Sequence, residues 1–140
     1  MQLFGPSGSR NFPIDRNPTT VVNGSEGGQA GGASGALGSY TVPVGRRAII
    51  HCSGAFTVRT ALAAGQVAQV WVQLTPNGGA ATRLITRDAE GAAPVQQTAD
   101  IQDTEVTLKA GDLIEVRFSV GAGVGAVEFG GGVTGVEFDA

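Results

Sequence analysis

Residues 66–75 put Ala68, Val70, Val72 and Leu74 on one parity and Gln69, Trp71 and Gln73 on the other. A side chain returning to the same face every second residue is the geometry of a strand, whereas the faces of a helix repeat every 3.6 residues. The parity returns in 112–120, where Ile114, Val116, Phe118 and Val120 alternate with Glu115, Arg117 and Ser119. Ala48, Ile50, Cys52 and Phe56 oppose Arg47, Ile49, His51 and Ser53 in a third run, and Tyr40, Val42 and Val44 form a fourth that Gly45 turns. Weaker runs occupy 82–87, 95–99 and 104–108. One apolar and one polar face per run is the mark of half-buried antiparallel strands.

Turn chemistry punctuates these runs. Pro76-Asn77-Gly78-Gly79 closes one strand, and Ala110-Gly111-Asp112 is short enough to be a tight connection between two others. Residues 61–65 have room for one helical turn, but no segment sustains a helical period. At the C-terminus, Val124 to Phe129 and Val133 to Phe138 repeat the pattern V-x-x-V-E-F at a spacing of nine, around Gly130-Gly131-Gly132. A hairpin turning at the glycines accounts for this repeat. Eight to ten short strands at about 8–12-residue spacing specify an all-β fold, an antiparallel β-sandwich of jelly-roll type.

The first 38 residues break the pattern. They hold nine glycines, and 24–35 have the composition of a flexible linker. Ordering such a segment costs roughly 1–2 kcal/mol per residue of backbone entropy, which its own side chains are ill-suited to offset. The expectation is an extended N-terminal arm over 1–38, held by neighbouring subunits, and a sandwich domain over 39–140. Pro6, Pro13 and Pro18 favour extended backbone, and Phe4, Phe12, Ile14, Val21 and Val22 are isolated apolar anchors along it. Two readings of the anchors stand: a strap laid over another surface, or a tail with incidental apolar residues.

The net charge of −3 gives no bulk attraction to nucleic acid. Residues 1–87 carry seven Arg against Asp15 and Glu26, a balance of +5, while 88–140 carry ten acids against Lys109 and Arg117, a balance of −8. Chance distribution and complementary faces on adjacent copies both produce such a split. A lone cysteine excludes an internal disulfide, the start of the chain has no secretory pattern, and no apolar run is long enough for a membrane span.

A search for chemistry finds little. His51 and Cys52 are adjacent in a strand and so point to opposite faces, which prevents a Cys–His pair from forming. One histidine cannot build a multi-His metal site, and Asp100, Asp103 and Glu105 match no calcium-loop spacing. Neither Gly5-Pro6-Ser7-Gly8 nor the glycines of 121–125 bring the lysine of a phosphate loop. No catalytic residue, cofactor or metal is expected. Trp71, Ile49, Ile85 and Leu113 fall on the polar parity of their strands, the pattern of an interface or of cover by a loop or the arm.

Tyr40-Thr41-Val42-Pro43-Val44-Gly45, followed by Leu108-Lys109-Ala110-Gly111-Asp112, resembles a pattern in small β-sandwich proteins of tailed-phage virions. There a strand ends in a V-P-x-G turn and a later strand pair is joined by L-x-A-G-D. The resemblance implies a non-enzymatic capsid decoration (cement) protein, often a homotrimer, on the capsid surface of the virion, with the major capsid protein as partner. It implies no nucleic-acid or membrane partner. A phage tail, fibre or baseplate component, or a receptor- or carbohydrate-binding module, is the alternative. On this reading Phe4, Phe12, Ile14, Val21 and Val22 dock the arm, and Ile49 and Trp71 make subunit contacts. Deleting 1–38 is then expected to leave a folded core that no longer attaches.

Overall fold

The computed structural model describes residues 17–91 and 97–140. Within them lie eight strands: β1 (Thr19–Gln29), β2 (Ser34–Thr41), β3 (Arg46–Val58), β4 (Val67–Thr75), β5 (Thr82–Glu90), β6 (Gln97–Lys109), β7 (Leu113–Val120) and β8 (Val127–Asp139). They form two four-stranded antiparallel sheets, in the orders β1-β8-β3-β6 and β2-β7-β4-β5. The pairs β4 with β5, β3 with β6, β2 with β7 and β1 with β8 nest inside one another, as in a long hairpin folded at the β4–β5 turn. Rolling that hairpin joins β3 to β8 and β4 to β7, giving the jelly roll.

The alternation seen in the sequence builds the core. Ala48, Ile50, Cys52 and Phe56 from β3 meet Ala68, Val70 and Val72 from β4 and Ile114, Val116, Phe118 and Val120 from β7, all buried. The Phe129 ring lies 5.7 Å from Phe56 within its own sheet and 4.8 Å from Phe118 in the opposite one. Pairs at these separations add to burial through their edge and face electrostatics.

Part of the expected arm belongs to the sandwich. Thr19–Gln29 pairs residue for residue with β8, and the boundary placed after residue 38 falls inside β2. Main-chain ladder hydrogen bonds need no side chains, so a glycine-rich strand is ordered by its own domain rather than by a neighbouring subunit. Glycine also permits close approach. Ser39 N–H donates to Asn23 Oδ1 (2.8 Å) and Ser25 Oγ–H to the Leu37 carbonyl (2.9 Å), stitching the β1 edge to β2 of the other sheet. Between them a side chain at Gly38 would come within 2.5 Å of the Asn23 carbonyl oxygen.

The C-terminal repeat is not a hairpin. β8 runs unbroken through Gly130-Gly131-Gly132, with β1 on one side and β3 on the other. Because nine is odd, the two V-E-F triplets of a single strand have opposite orientation. Glu128 is exposed, while Glu137 turns inward, accepts the Tyr40 hydroxyl and lies 3.3 Å from Arg46 Nε. The weak run 104–108 lies within β6, and the run 95–99 begins outside the described residues. Residues 61–65 hold no helix; Gly65, at φ 82°, turns the chain and Gln66 N–H reaches the Ala63 carbonyl.

Candidate functional site

The registers of the first sheet define its outer face row by row. Phe138, Arg47 and Lys109 share one row across β8, β3 and β6. Thr20, Val136, Ile49 and Thr107 form the next, followed by Val22, Thr134, His51 and Glu105. Beyond these lie Gly24, Gly132 and Ser53, beside a shallow depression of about 410 Å3. Of the five large apolar side chains exposed among the described residues, three sit here: Val22 at 74%, Val136 at 41% and Ile49 at 38%. Together they give this face the apolar character that the outer face of the second sheet lacks at Trp71.

Charge brackets the apolar rows. On one side are the exposed Arg47, 5.9 Å from the Phe138 ring centroid, and Lys109. On the other, His51 Nδ1 lies 3.0 Å from the Asp103 carboxylate and Nε2 lies 3.6 Å from Glu105 Oε1. At the far end the Arg59 guanidinium forks onto Glu128 at 3.0 and 2.8 Å. Those hydrogen bonds, and then the charge itself, hold Glu128 below the usual carboxylate range. Behind His51, burial and secondarily Asp103 push the Cys52 thiol up to about 12, so it stays protonated and unreactive.

The residues expected to make contacts separate in the fold. Val21 is a core residue, turned inward by the parity that turns Val22 out, so the two do not dock together. Val22 and Ile49 share the outer face of the first sheet. Trp71 lies on the outer face of the second sheet and is only 7% exposed, because the Arg83 guanidinium stacks 3.8 Å from its ring. Its indole N–H donates to Gln73 Oε1, and a chain of contacts continues through Glu115 to Arg117. The expected exposure of Trp71 is therefore corrected. Ile85 packs on the core and Leu113 is half-buried, while Leu84 is the exposed large apolar residue of β5, where the register with β4 shifts. Phe4, Phe12 and Ile14 lie outside the described residues.

Sequence reasoning missed Val136, whose outward parity was hidden by reading its repeat as a hairpin. It also missed the Arg46 hub. This guanidinium donates to the Asn17 carbonyl, Thr19 Oγ1, Glu137 and Asp139, tying the start of β1 to the end of β8. Among the described residues no group of three or more His, Cys, Asp or Glu is placed to hold a metal ion. Among the same residues, no helix is long and apolar enough to cross a membrane.

No family model matches this chain, and no curated protein matches it. Among solved structures it is similar to a chain of infectious bursal disease virus Gx strain, with TM-score 0.44 and 14% identity over 88% of this chain and 33% of that one. A VP2 subviral particle of the same virus gives TM-score 0.39 and 13% identity over 88% and 33%. A chain from the disulfide-linked pili of Bacillus endospore appendages gives 0.36 and 13% over 88% and 90%. The chain thus spans 33% of the length of these viral chains. Likeness at this level transfers neither an activity nor a residue role.

Proposed function

We propose that this chain is a non-enzymatic structural subunit of a virion, a capsid decoration (cement) protein that binds and stabilises the major capsid protein lattice. The observation that carries the reading is a nested jelly roll with a solid interior. Phe56, Ile50, Ile114, Val70 and Val116 fill the space between the sheets where a cupin-type enzyme keeps a ligand cavity. Work is then left to the outer surfaces. One of them carries the Val22, Ile49 and Val136 rows, which suit contact with protein rather than with a small ligand. Trp71 beneath Arg83 is a covered ring, which disfavours the carbohydrate-platform alternative.

Such a protein acts by adding buried area across joints between capsomers. Each ~100 Å2 of apolar surface removed from water contributes about 2.5 kcal/mol before ordering costs. Phe4, Phe12 and Ile14 remain proposed contact residues. The test is the copy number of the chain in purified virions, by gel densitometry. Hundreds of copies are expected. A few to a few dozen place it in a tail, fibre or baseplate, and its absence from virions ends the reading.

A further inference from the structure

We propose that the outer face of the β1-β8-β3-β6 sheet is a self-complementary surface that pairs with the same face of a second copy of this chain. An isologous contact requires one patch to fit itself after a half-turn. This face meets that requirement by the order of its rows across β3 and β6. The basic row, Arg47 and Lys109, comes first, the row of Ile49 and Val136 second, and the acidic side with Glu105 and Asp103 third. A two-fold axis lying across the strands at the Ile49–Val136 row returns those two side chains onto their own copies. It also reverses the row order, so that Lys109 of one copy faces Glu105 of the other, and Arg47 faces His51 with the Asp103 carboxylate beside it.

The alternative half-turn, about an axis along the strands, sets β6 against β1, whose side chains at these levels are Thr20 and Val22. It leaves both charged groups without counterparts, so the arrangement across the strands is the one specified. Apolar rows supply the attraction and the charges set register and exclude other alignments. The overlapping rows, about 20 Å along the strands and about 19 Å across four of them, offer roughly 400 Å2 per copy. That is about half of a standard-size interface, so the pair belongs to the weak class that forms where copies are concentrated.

This pairing goes beyond the virion reading and does not depend on it, because it is measured on the isolated full-length chain. Two charge-reversed variants test it: Arg47→Glu with Lys109→Glu, and Asp103→Lys with Glu105→Lys. All four positions are exposed, and circular dichroism verifies that each variant is folded. Sedimentation equilibrium of the wild type is expected to fit a monomer–dimer scheme that weakens with salt. Each variant alone should self-associate more than about tenfold more weakly, since like charges then face each other. An equimolar mixture of the two should regain the dimer, because one presents acids at both ends and the other bases at both ends. A trimer, a monomer at every concentration, or a mixture that stays monomeric overturns the proposal. So does a dimer that both variants form as well as the wild type.

Discussion

Phe129 is a side chain on which the two sheets meet. Its ring touches Phe56 beside it and Phe118 across the sandwich, and no water reaches any of the three to a significant extent. Phe129→Ala removes a ring whose cavity β strands hydrogen-bonded on both sides cannot collapse to fill. The expected loss is about 3–5 kcal/mol, a large share of the ~5–15 kcal/mol that stabilises a domain of this size. Urea denaturation monitored by fluorescence reads it directly, and a loss below ~1 kcal/mol would sink this account of the core. Trp71 teaches the opposite lesson. Its parity points outward, yet Arg83 from the neighbouring strand lies over it, a stacking that strand periodicity does not encode.

At the scale of elements, the two halves of the V-P-x-G and L-x-A-G-D pattern prove to be partners in space. Val42 N–H donates to the Asp112 carbonyl and Gly111 N–H to the Val42 carbonyl, so the end of β2 is pinned to the β6–β7 turn. Gly111 takes φ 85° there, and a side chain would strike Asn77, 2.4 Å away. The buried Asp112 carboxylate accepts the N–H groups of Lys109 (3.1 Å) and Asn77 (2.9 Å), joining that turn to the β4–β5 turn. Asp112→Ala strands both donors, with an expected cost of about 2–4 kcal/mol. Asp112→Asn keeps one acceptor oxygen and should cost less. If thermal melts rank the two variants the other way, the carboxylate is not the link between the turns.

For the whole molecule, the nested topology explains the split of charge along the chain. Folding the chain on itself at the β4–β5 turn lays its first half against its second, strand by strand. Arg46 therefore finds Glu137 and Asp139, Arg59 finds Glu128, and His51 finds Asp103 and Glu105. The same topology changes what a truncation does. Deleting 1–16 leaves β1 intact, and the body is expected to keep its β-type circular dichroism and cooperative unfolding. Deleting 1–38 removes β1, most of β2 and the core residues Val21 and Leu37, and bares the ladder edge of β8. That longer deletion is expected to give aggregated or unfolded protein. A folded, monomeric 39–140 fragment in size-exclusion chromatography would restore the arm boundary read from sequence.

The alternation in β3, β4 and β7 and the turns at Asn77-Gly78 and Gly111 were enough to determine an all-β sandwich. These signals are local: period two, left-handed glycines and polar parity act within about ten residues. Ile49 was legible as an outward residue for the same reason. Only tertiary structure decided that 19–29 is a strand, because its order comes from a ladder with β8, about a hundred residues away, and not from its own side chains. It likewise decided that the C-terminal repeat is one strand lying between β1 and β3, since a glycine run permits a turn and a close strand contact equally. The composition of an interaction face follows from which strands end up side by side. That is settled by long-range pairing, which no residue announces alone.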